Sequence, residues 1–187
     1  VVCESLDGKA SVAVIPPEDP ENREIIELPD CPVKFNDVDP PLMQAENTIV
    51  GMTIGMTLYK YNWNDKTYAE TDIQGGWGMA TDKEGNVYVL CNGQDGKKNI
   101  QKFDADLKPV YTADVTAEET FVDYINVDVN DELAVYHYNI EEDRMDCDVI
   151  DKETGKTAET RENVIFDPEA PLKTSDGTEI WLEADTT

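Results

Sequence analysis

A repeat of 46 residues constrains the fold of this chain more than any other feature. The segments 82–90 (DKEGNVYVL) and 128–136 (DVNDELAVY) lie 46 residues apart, and each is a polar turn followed by a β-rich run. A related segment at 175–182 (SDGTEIWL) and a weaker one at 45–52 (AENTIVGM) extend the series. Repeats of this length build arrays of similar units. The chain is therefore predicted to contain four related units.

A second pattern follows each copy, namely a strand that ends in a polar turn and leads into another strand. The apolar residue before that turn is Tyr61, Phe103 and Ile150 in successive copies, and a step of 46 residues back from Tyr61 reaches Ile15. Each unit then contains three or four short antiparallel strands. The sequence predicts an all-β fold with no helix longer than two turns and one short helical turn at 116–121.

The order of the two patterns resembles the blade of a β-propeller of the broad NHL, TolB and quinoprotein-like kind. The residues that carry the resemblance are 77–90 with 99–115, and 125–138 with 147–160. The resemblance implies a small propeller-like ring of four units, without indicating a substrate.

The units are expected within a single domain, 1–187, at 34–74, 75–115, 120–160, and a composite of 164–187 with 9–28. The composite arises because each end of the chain supplies half a unit. A shared terminal blade would close the ring and remove edge strands. Two alternatives stay open: the units stack as a β-sandwich, or the terminal strands pair with a neighbouring subunit and form a polymer.

Charge excludes several classes of partner. The chain has 41 acidic and 15 basic residues, which gives a net charge of −26 at pH 7. Such a chain repels phosphate backbones and anionic lipids, so neither nucleic-acid binding nor polybasic membrane docking is expected. No apolar run reaches the ~18 residues of a membrane span, so membrane insertion is not expected either.

The four cysteines suggest an oxidising compartment. Cys3, Cys31, Cys91 and Cys147 lie at least 28 residues apart, so no C-x-x-C motif occurs. An even count predicts disulfides and an extracellular or cell-envelope location, with Cys3–Cys31 and Cys91–Cys147 as one of three pairings. The alternative is four buried free thiols. Because the chain opens with Val1 and has no apolar leader, a mature or trimmed chain is expected.

Catalytic motifs are missing from the sequence. His137 is the single histidine, no G-x-S-x-G surrounds a serine, and the alternating run 133–138 predicts His137 as a half-exposed strand residue. The protein is therefore predicted not to be an enzyme. The alternative is a propeller-type hydrolase or lyase that uses carboxylates or a metal at the ring axis. Its candidate residues are Asp82, Asp128 and Asp176, whose recurrence at turns indicates a structural role first.

Acidic turns make calcium the possible cofactor, because hard cations take oxygen ligands from loops. The candidate ligands are Asp128, Asn130, Asp131, Asp143, Asp146 and Asp148. The alternative is ordinary solvated turn chemistry.

Two further patterns concern contact surfaces. Tyr59, Tyr61 and Trp63 alternate and share one strand face, as a sugar platform or as core between units. The segment 51–57 (GMTIGMT) is uncharged and glycine-spaced, which marks close backbone approach, a bulge or the contact face of an assembly.

These patterns favour an extracellular or cell-surface binding or structural module without catalysis. Its partner is expected to be another protein or a second copy of the chain, with carbohydrate as the other ligand class. Self-assembly through the terminal strands is the structural version of this prediction.

Overall fold

The computed structural model describes residues 2–6, 9–14, 19, 22–32, 41–53, 57–93, 97–115, 121–128, 130–164, 172–173 and 179–180. Every regular element in this part of the chain is a β-strand, which confirms the all-β prediction. No helix among these residues is long and apolar enough to cross a membrane. Residues 116–120 of the expected helical turn lie outside the described residues, and Phe121 begins a strand.

The strands form antiparallel sheets in which neighbours along the chain are neighbours in space. Sheet 1 contains β1 (Val2–Leu6), β2 (Lys9–Val14) and β3 (Glu24–Leu28). Sheet 2 contains β4 (Leu42–Ala45), β5 (Thr48–Thr53), β6 (Thr57–Asn62) and β7 (Thr67–Asp72). Sheet 3 contains β8 (Gly76–Thr81), β9 (Val87–Asn92), β10 (Lys98–Phe103) and β11 (Pro109–Asp114).

Sheet 4 has the same four-stranded order, with β12 (Phe121–Val127), β13 (Leu133–Asn139), β14 (Arg144–Ile150) and β15 (Thr157–Arg161). Near the C-terminus, β16 (Leu172–Lys173) pairs with β17 (Glu179–Ile180). By its contacts the chain divides into two compact units, residues 1–115 and 116–187.

The sheets coincide closely with the repeat. Sheets 2 and 3 lie inside the predicted units 34–74 and 75–115, and sheet 4 extends one residue beyond 120–160. Sheet 1 has three strands and begins at Val2, whereas the sequence suggested only its part from residue 9. Most of 164–187 lies outside the described residues, so the composite terminal unit and the single domain stay predictions.

Among the described residues, the same turn is formed three times around an aspartate side chain. Its members are 82–86, 104–108 and 128–132. In each, the carboxylate of the first residue accepts the backbone N–H groups of the third and fifth residues at 2.8–3.1 Å. The first residue also donates its N–H to the carbonyl of the fifth residue. Aspartate suits this geometry because its short side chain can replace a backbone acceptor.

The fourth residue of each turn has a positive φ. It is Gly85 (φ 82°), Leu107 (φ 62°) and Asp131 (φ 68°). Glycine tolerates this left-handed region without a Cβ clash, whereas leucine does not, so Leu107 needs a compensating contact. That contact is burial, because Leu107 is 4% exposed in the core between sheets 2 and 3.

The first compact unit, residues 1–115, is a stack of three sheets with two apolar layers. Val12 and Leu28 of sheet 1 pack with Ile49 and Tyr61 of sheet 2. On the other face of sheet 2, residues of sheets 2 and 3 form the second layer. Among them are Val50, Met52, Leu58, Val87, Val89 and Phe103. Sheet 2 is thus covered on both faces, which a two-sheet sandwich does not provide. Face-to-face stacking of successive sheets is the propeller-like arrangement that the resemblance implied.

Gly51 confirms the predicted close approach within the glycine-spaced strand. It pairs with Tyr59 across β5 and β6, and a Cβ at Gly51 would lie 2.5 Å from Cζ of the Tyr59 ring. Tyr59 is 1% exposed and has no room to move. Gly55 lies outside the described residues.

We expect Gly51→Ala to lower the free energy of unfolding by about 1–3 kcal/mol, because overpacking a buried site forces strain. Urea denaturation measures the loss. In a Tyr59→Leu background the same substitution should cost much less. An equal cost in both backgrounds would show that the Tyr59 ring is not the cause.

The hydrogen bonds of the turn aspartates predict that alanine substitutions at Asp82 and Asp104 lower the free energy of unfolding by different amounts. The carboxylate of Asp82, which is 5% exposed, also accepts hydrogen bonds from Asn86 Nδ2 and the Tyr88 hydroxyl, both at 2.8 Å. Asp82→Ala should therefore cost about 3 kcal/mol, against about 1 kcal/mol for Asp104→Ala, which strands fewer donors. Denaturant unfolding of the two variants gives the comparison. Losses of the same size would mean that the turn bonds alone matter.

Candidate functional site

A polar groove of about 380 Å³ lies in the first unit, where two turns of sheet 3 meet one face of sheet 2. Its sheet 2 side includes Gln44, Thr48, Lys60, Asn62 and Thr67. Its sheet 3 side is the pair of aspartate turns, through 83–85 and 105–106. The repeated turn therefore supplies one wall of the groove.

Gln44 and Lys60 fix the two walls to each other. The Gln44 side-chain amide donates from Nε2 to the carbonyl oxygens of Gly85, at 2.8 Å, and Ala105, at 3.2 Å. Lys60 Nζ donates to the same Ala105 oxygen at 2.7 Å. Because Gln44 is 9% exposed, this amide is held in one orientation. Both side chains are therefore pre-positioned along the groove.

The groove retains unused hydrogen-bonding capacity. Among the described residues, the hydrogen bonds of the Gln44 side chain all come from Nε2, so its Oε1 keeps an open acceptor position. Lys60 uses one of its three N–H groups on Ala105 and lies 3.9 Å from Asp106. Thr67 adds an exposed hydroxyl. A fixed acceptor, an ammonium and a hydroxyl are thus offered together.

Asp106 is an anion at this site. A hydrogen bond from Lys108 and the charges of Lys108 and Lys60 hold the pKa of Asp106 below its ordinary value. The carboxylate stays ionised at neutral pH and keeps Lys60 beside it. Asp106 is therefore a poor proton donor for acid catalysis.

Two of the three aspartates that the enzyme hypothesis requires accept hydrogen bonds within their own turns. Asp82 and Asp128 each accept two backbone N–H groups, and each also accepts from an asparagine side chain. Asp176 lies outside the described residues. The structural role that the sequence indicated first is confirmed for Asp82 and Asp128.

The predicted calcium ligands are spread over two turns and one strand. Asp128, Asn130 and Asp131 lie in the turn between β12 and β13, and Asp131 pairs with Lys152. Asp143 lies in the next turn and accepts a hydrogen bond from the Tyr138 hydroxyl. In the part of the chain that the structure describes, no three His, Cys, Asp or Glu side chains form a group that could hold a metal ion. Calcium binding stays a prediction.

The other two predicted ligands, Asp146 and Asp148, belong to a buried polar cluster on β14. Asp146 is 3% exposed, accepts a hydrogen bond from the Asn163 backbone N–H at 2.8 Å, and forms an ion pair with Arg144, whose Nε lies 2.9 Å away. Asp148 is 4% exposed and accepts from the Thr160 hydroxyl at 2.6 Å. Both carboxylates are satisfied by protein donors.

His137 completes this cluster, and the prediction of a half-exposed side chain is wrong. The ring is 6% exposed, and its Nε2 is 3.6 Å from the Asp148 carboxylate. Neither ring nitrogen has a hydrogen-bond partner among the described residues. Burial separates His137 from any exposed serine or cysteine that a catalytic pair would need.

The structure describes the side chains of three of the four cysteines, Cys31, Cys91 and Cys147, and so tests part of the disulfide prediction. Cys91 and Cys147 are buried free thiols, and burial raises the pKa of both, to about 11 for Cys91. Cys31 is half-buried beside the core of sheets 1 and 2. Cys3 lies on β1, but its side chain is not described. A bridge between Cys3 and Cys31 stays a prediction.

The aromatic face proves to be core. Tyr61 is 2% exposed in the layer between sheets 1 and 2, and Trp63 packs against that layer. Neither side chain is available as a sugar platform. Carbohydrate binding therefore has no described aromatic surface at this position.

Sequence reasoning did not identify Gln44 or Lys60, since the meeting of two sheets is not encoded in one motif. One signal was available for Lys60. It precedes Tyr61 as Lys102 precedes Phe103, and the two lysines are therefore equivalent in the repeat. No comparable signal marks Gln44.

Comparison with known proteins gives a distant structural likeness. No family model and no curated protein matches the chain. Among solved structures, the WD40 domain of Pan2 from Neurospora crassa matches with a TM-score of 0.47 and 8% sequence identity. The match covers 84% of this chain and 47% of that domain, so the chain spans about half of its length.

Acid should weaken the buried cluster. Burial raises the pKa of Asp148, but the nearby His137 ring and the Thr160 hydroxyl lower it by more, so the folded-state pKa lies below the ordinary 3.8. Ionised Asp148 therefore contributes stability above pH 3.8, and this contribution is lost as pH falls through the folded-state pKa. Asp148→Asn should differ most from the parent protein at neutral pH, with the gap in unfolding free energy narrowing below about pH 4. A gap that does not change with pH would contradict the assignment.

Proposed function

We propose that the protein is a non-catalytic binding module that holds a polar segment of a partner protein in the groove between sheets 2 and 3. The observation that carries the proposal is the fixed pair of Gln44 and Lys60. Their hydrogen bonds to the turns of sheet 3 orient them before any partner arrives. Pre-positioned polar groups reduce the ordering cost of binding.

The chemistry of the groove suits a peptide backbone. Gln44 Oε1 accepts a hydrogen bond and Lys60 Nζ donates one, which complements the N–H and C=O of a peptide group. Thr67 adds a hydroxyl that can do either. The lining is short of aromatic side chains, and this argues for a polar chain segment over a sugar ring.

The absence of catalysis is part of the proposal. The recurring carboxylates Asp82 and Asp128 hold turns, and His137 is buried against Asp148. Asp106, in the groove, has a lowered pKa and stays ionised. General acid–base work needs an accessible group that titrates near neutrality, and none of these residues meets both conditions.

We also propose an extracellular or cell-surface location, supported by the strong acidity of the chain. Self-association through the terminal strands stays a prediction. The net charge of −26 on each copy opposes it, so assembly would have to strengthen as salt screens the repulsion.

A panel of acetylated tripeptide amides, titrated into the ¹⁵N-labelled protein, tests the groove. We expect amide shifts concentrated at Gln44, Lys60 and Ala105, and an about tenfold weaker Kd for Lys60→Met, which removes the ammonium and keeps the stem. Lys156→Met, at an exposed lysine just before β15, is the matched control and should bind normally.

The same samples test catalysis by mass spectrometry, which should find every peptide intact. Shifts confined to residues outside the groove would contradict the binding site. Cleavage of a peptide that stops in a groove variant would contradict the non-catalytic assignment.

A further inference from the structure

Large exposed apolar side chains recur on the outer strands of the first unit. They are Ile25, which is 50% exposed, Tyr68, 38% exposed, and Val110, 53% exposed. Each is the second residue of its strand, and β3, β7 and β11 each stand at the end of their sheet. Scattered exposed apolar residues are normal on protein surfaces, but recurrence at one strand position is not random. We call these three residues the outer row.

The repeat explains the position of the outer row. Tyr68 follows the turn after β6, and Val110 follows the equivalent turn after β10, 42 residues later. Ile25 is 43 residues before Tyr68 and pairs with Ala13 of β2. The corresponding residue of β15 is Ala158, a small side chain. The outer row is thus a property of the first unit.

The stack of sheets sets the spacing along the row. Sheets 1 and 2 share one apolar layer, and sheets 2 and 3 share the next. Sheets packed face to face lie about 10 Å apart, and we expect neighbouring residues of the row to be separated by about this distance. In an α-helix, residues seven apart lie about 10.5 Å apart on nearly the same face. One helical segment laid across the three strands can therefore contact the whole row.

Charge selects among the partners that such a row can take. The three outer strands contain five acidic residues and no basic residue: Glu24, Glu27, Glu70, Asp72 and Asp114. All five are exposed. A second copy of this chain, an anionic lipid surface or a nucleic acid would be repelled. A cationic partner would be attracted, and its apolar side chains would find the row.

We propose that the outer row is a docking surface for a basic amphipathic helix of a partner protein, with Ile25, Tyr68 and Val110 as its apolar contacts. The acidic residues attract the basic face, and the row fixes the position of the helix. The acids also protect the three edge strands from pairing with other copies, since charged edges resist strand addition. This surface is separate from the groove between sheets 2 and 3.

The probe is a synthetic helical peptide of about 18 residues that contains only lysine and leucine. Leucine occupies every seventh position in the sequence, so the leucines share one face of the helix. A scrambled peptide of the same composition keeps the charge and removes the apolar face. At about 0.15 M salt, we expect the helix to bind at least about tenfold more tightly than the scrambled peptide.

The variant Ile25→Thr with Val110→Thr keeps β-favourable residues and should weaken helix binding about tenfold. Ile140→Thr is the matched control, because Ile140 is 55% exposed and lies in the turn between β13 and β14, so it should bind as the parent does. Circular dichroism checks folding. If the double variant is unfolded, Val110→Lys alone serves, and it should weaken binding through both charge and lost apolar contact.

Two results would overturn the proposal. Equal affinity of the helix and the scrambled peptide would show that charge alone attracts them. Equal weakening by Ile140→Thr would show that the outer row has no special role.

Discussion

The structure depends on one local interaction, the aspartate carboxylate that accepts two backbone N–H groups of its own turn. At Asp82, Asp104 and Asp128 it closes the connection between two strands in the same geometry. A turn of fixed geometry fixes which residues pair across the hairpin, and a slip by one residue would turn every side chain to the opposite face. Strand β9 follows the Asp82 turn and is buried on both faces, so it requires that register. The apolar layer between sheets 2 and 3 depends on it.

The turn aspartates account for part of the acidity of the chain. Part of the excess of acidic residues is structural, since turn aspartates are bound by backbone amides, and Asp146 and Asp148 are satisfied inside sheet 4. Another part covers edge strands, where Glu24, Glu70 and Asp114 oppose pairing with other chains. The acids therefore need no metal to explain their number. Because basic residues are far fewer than acidic ones, an accessible lysine such as Lys60 is the less common kind of charged group in this chain.

The sequence predicted the fold well because strand alternation and turn chemistry are local properties. The repeat placed sheets 3 and 4 within one residue of their bounds, whereas sheet 2 begins at Leu42, eight residues after the start of its predicted unit. It misjudged His137, because alternation shows which face a residue occupies and not whether another layer covers that face. It did not reveal Gln44 for a related reason: the partners of this side chain, Gly85 and Ala105, lie 41 and 61 residues away on another sheet.

Leu107 illustrates how tertiary packing overrides local preference. A leucine in the left-handed region costs about 1–2 kcal/mol, whereas full burial of its side chain contributes about 1.5–3 kcal/mol. Burial is therefore the larger effect, and the turn keeps the geometry of its glycine counterpart, Gly85. The side chain closes the apolar layer directly behind the groove wall formed by Ala105 and Asp106.

The repeat also bears on the proposed binding groove. Lys60 and Lys102 occupy equivalent positions, but their surroundings differ. The ammonium of Lys102 lies 5.6 Å and 5.8 Å from the ring centroids of Tyr88 and Tyr111, and the side chain is 6% exposed. Lys60 instead reaches Ala105 and keeps donor capacity in the groove. A common backbone plan thus produces one buried lysine held by aromatic rings and one accessible lysine, and the binding proposed for the groove depends on that difference between copies.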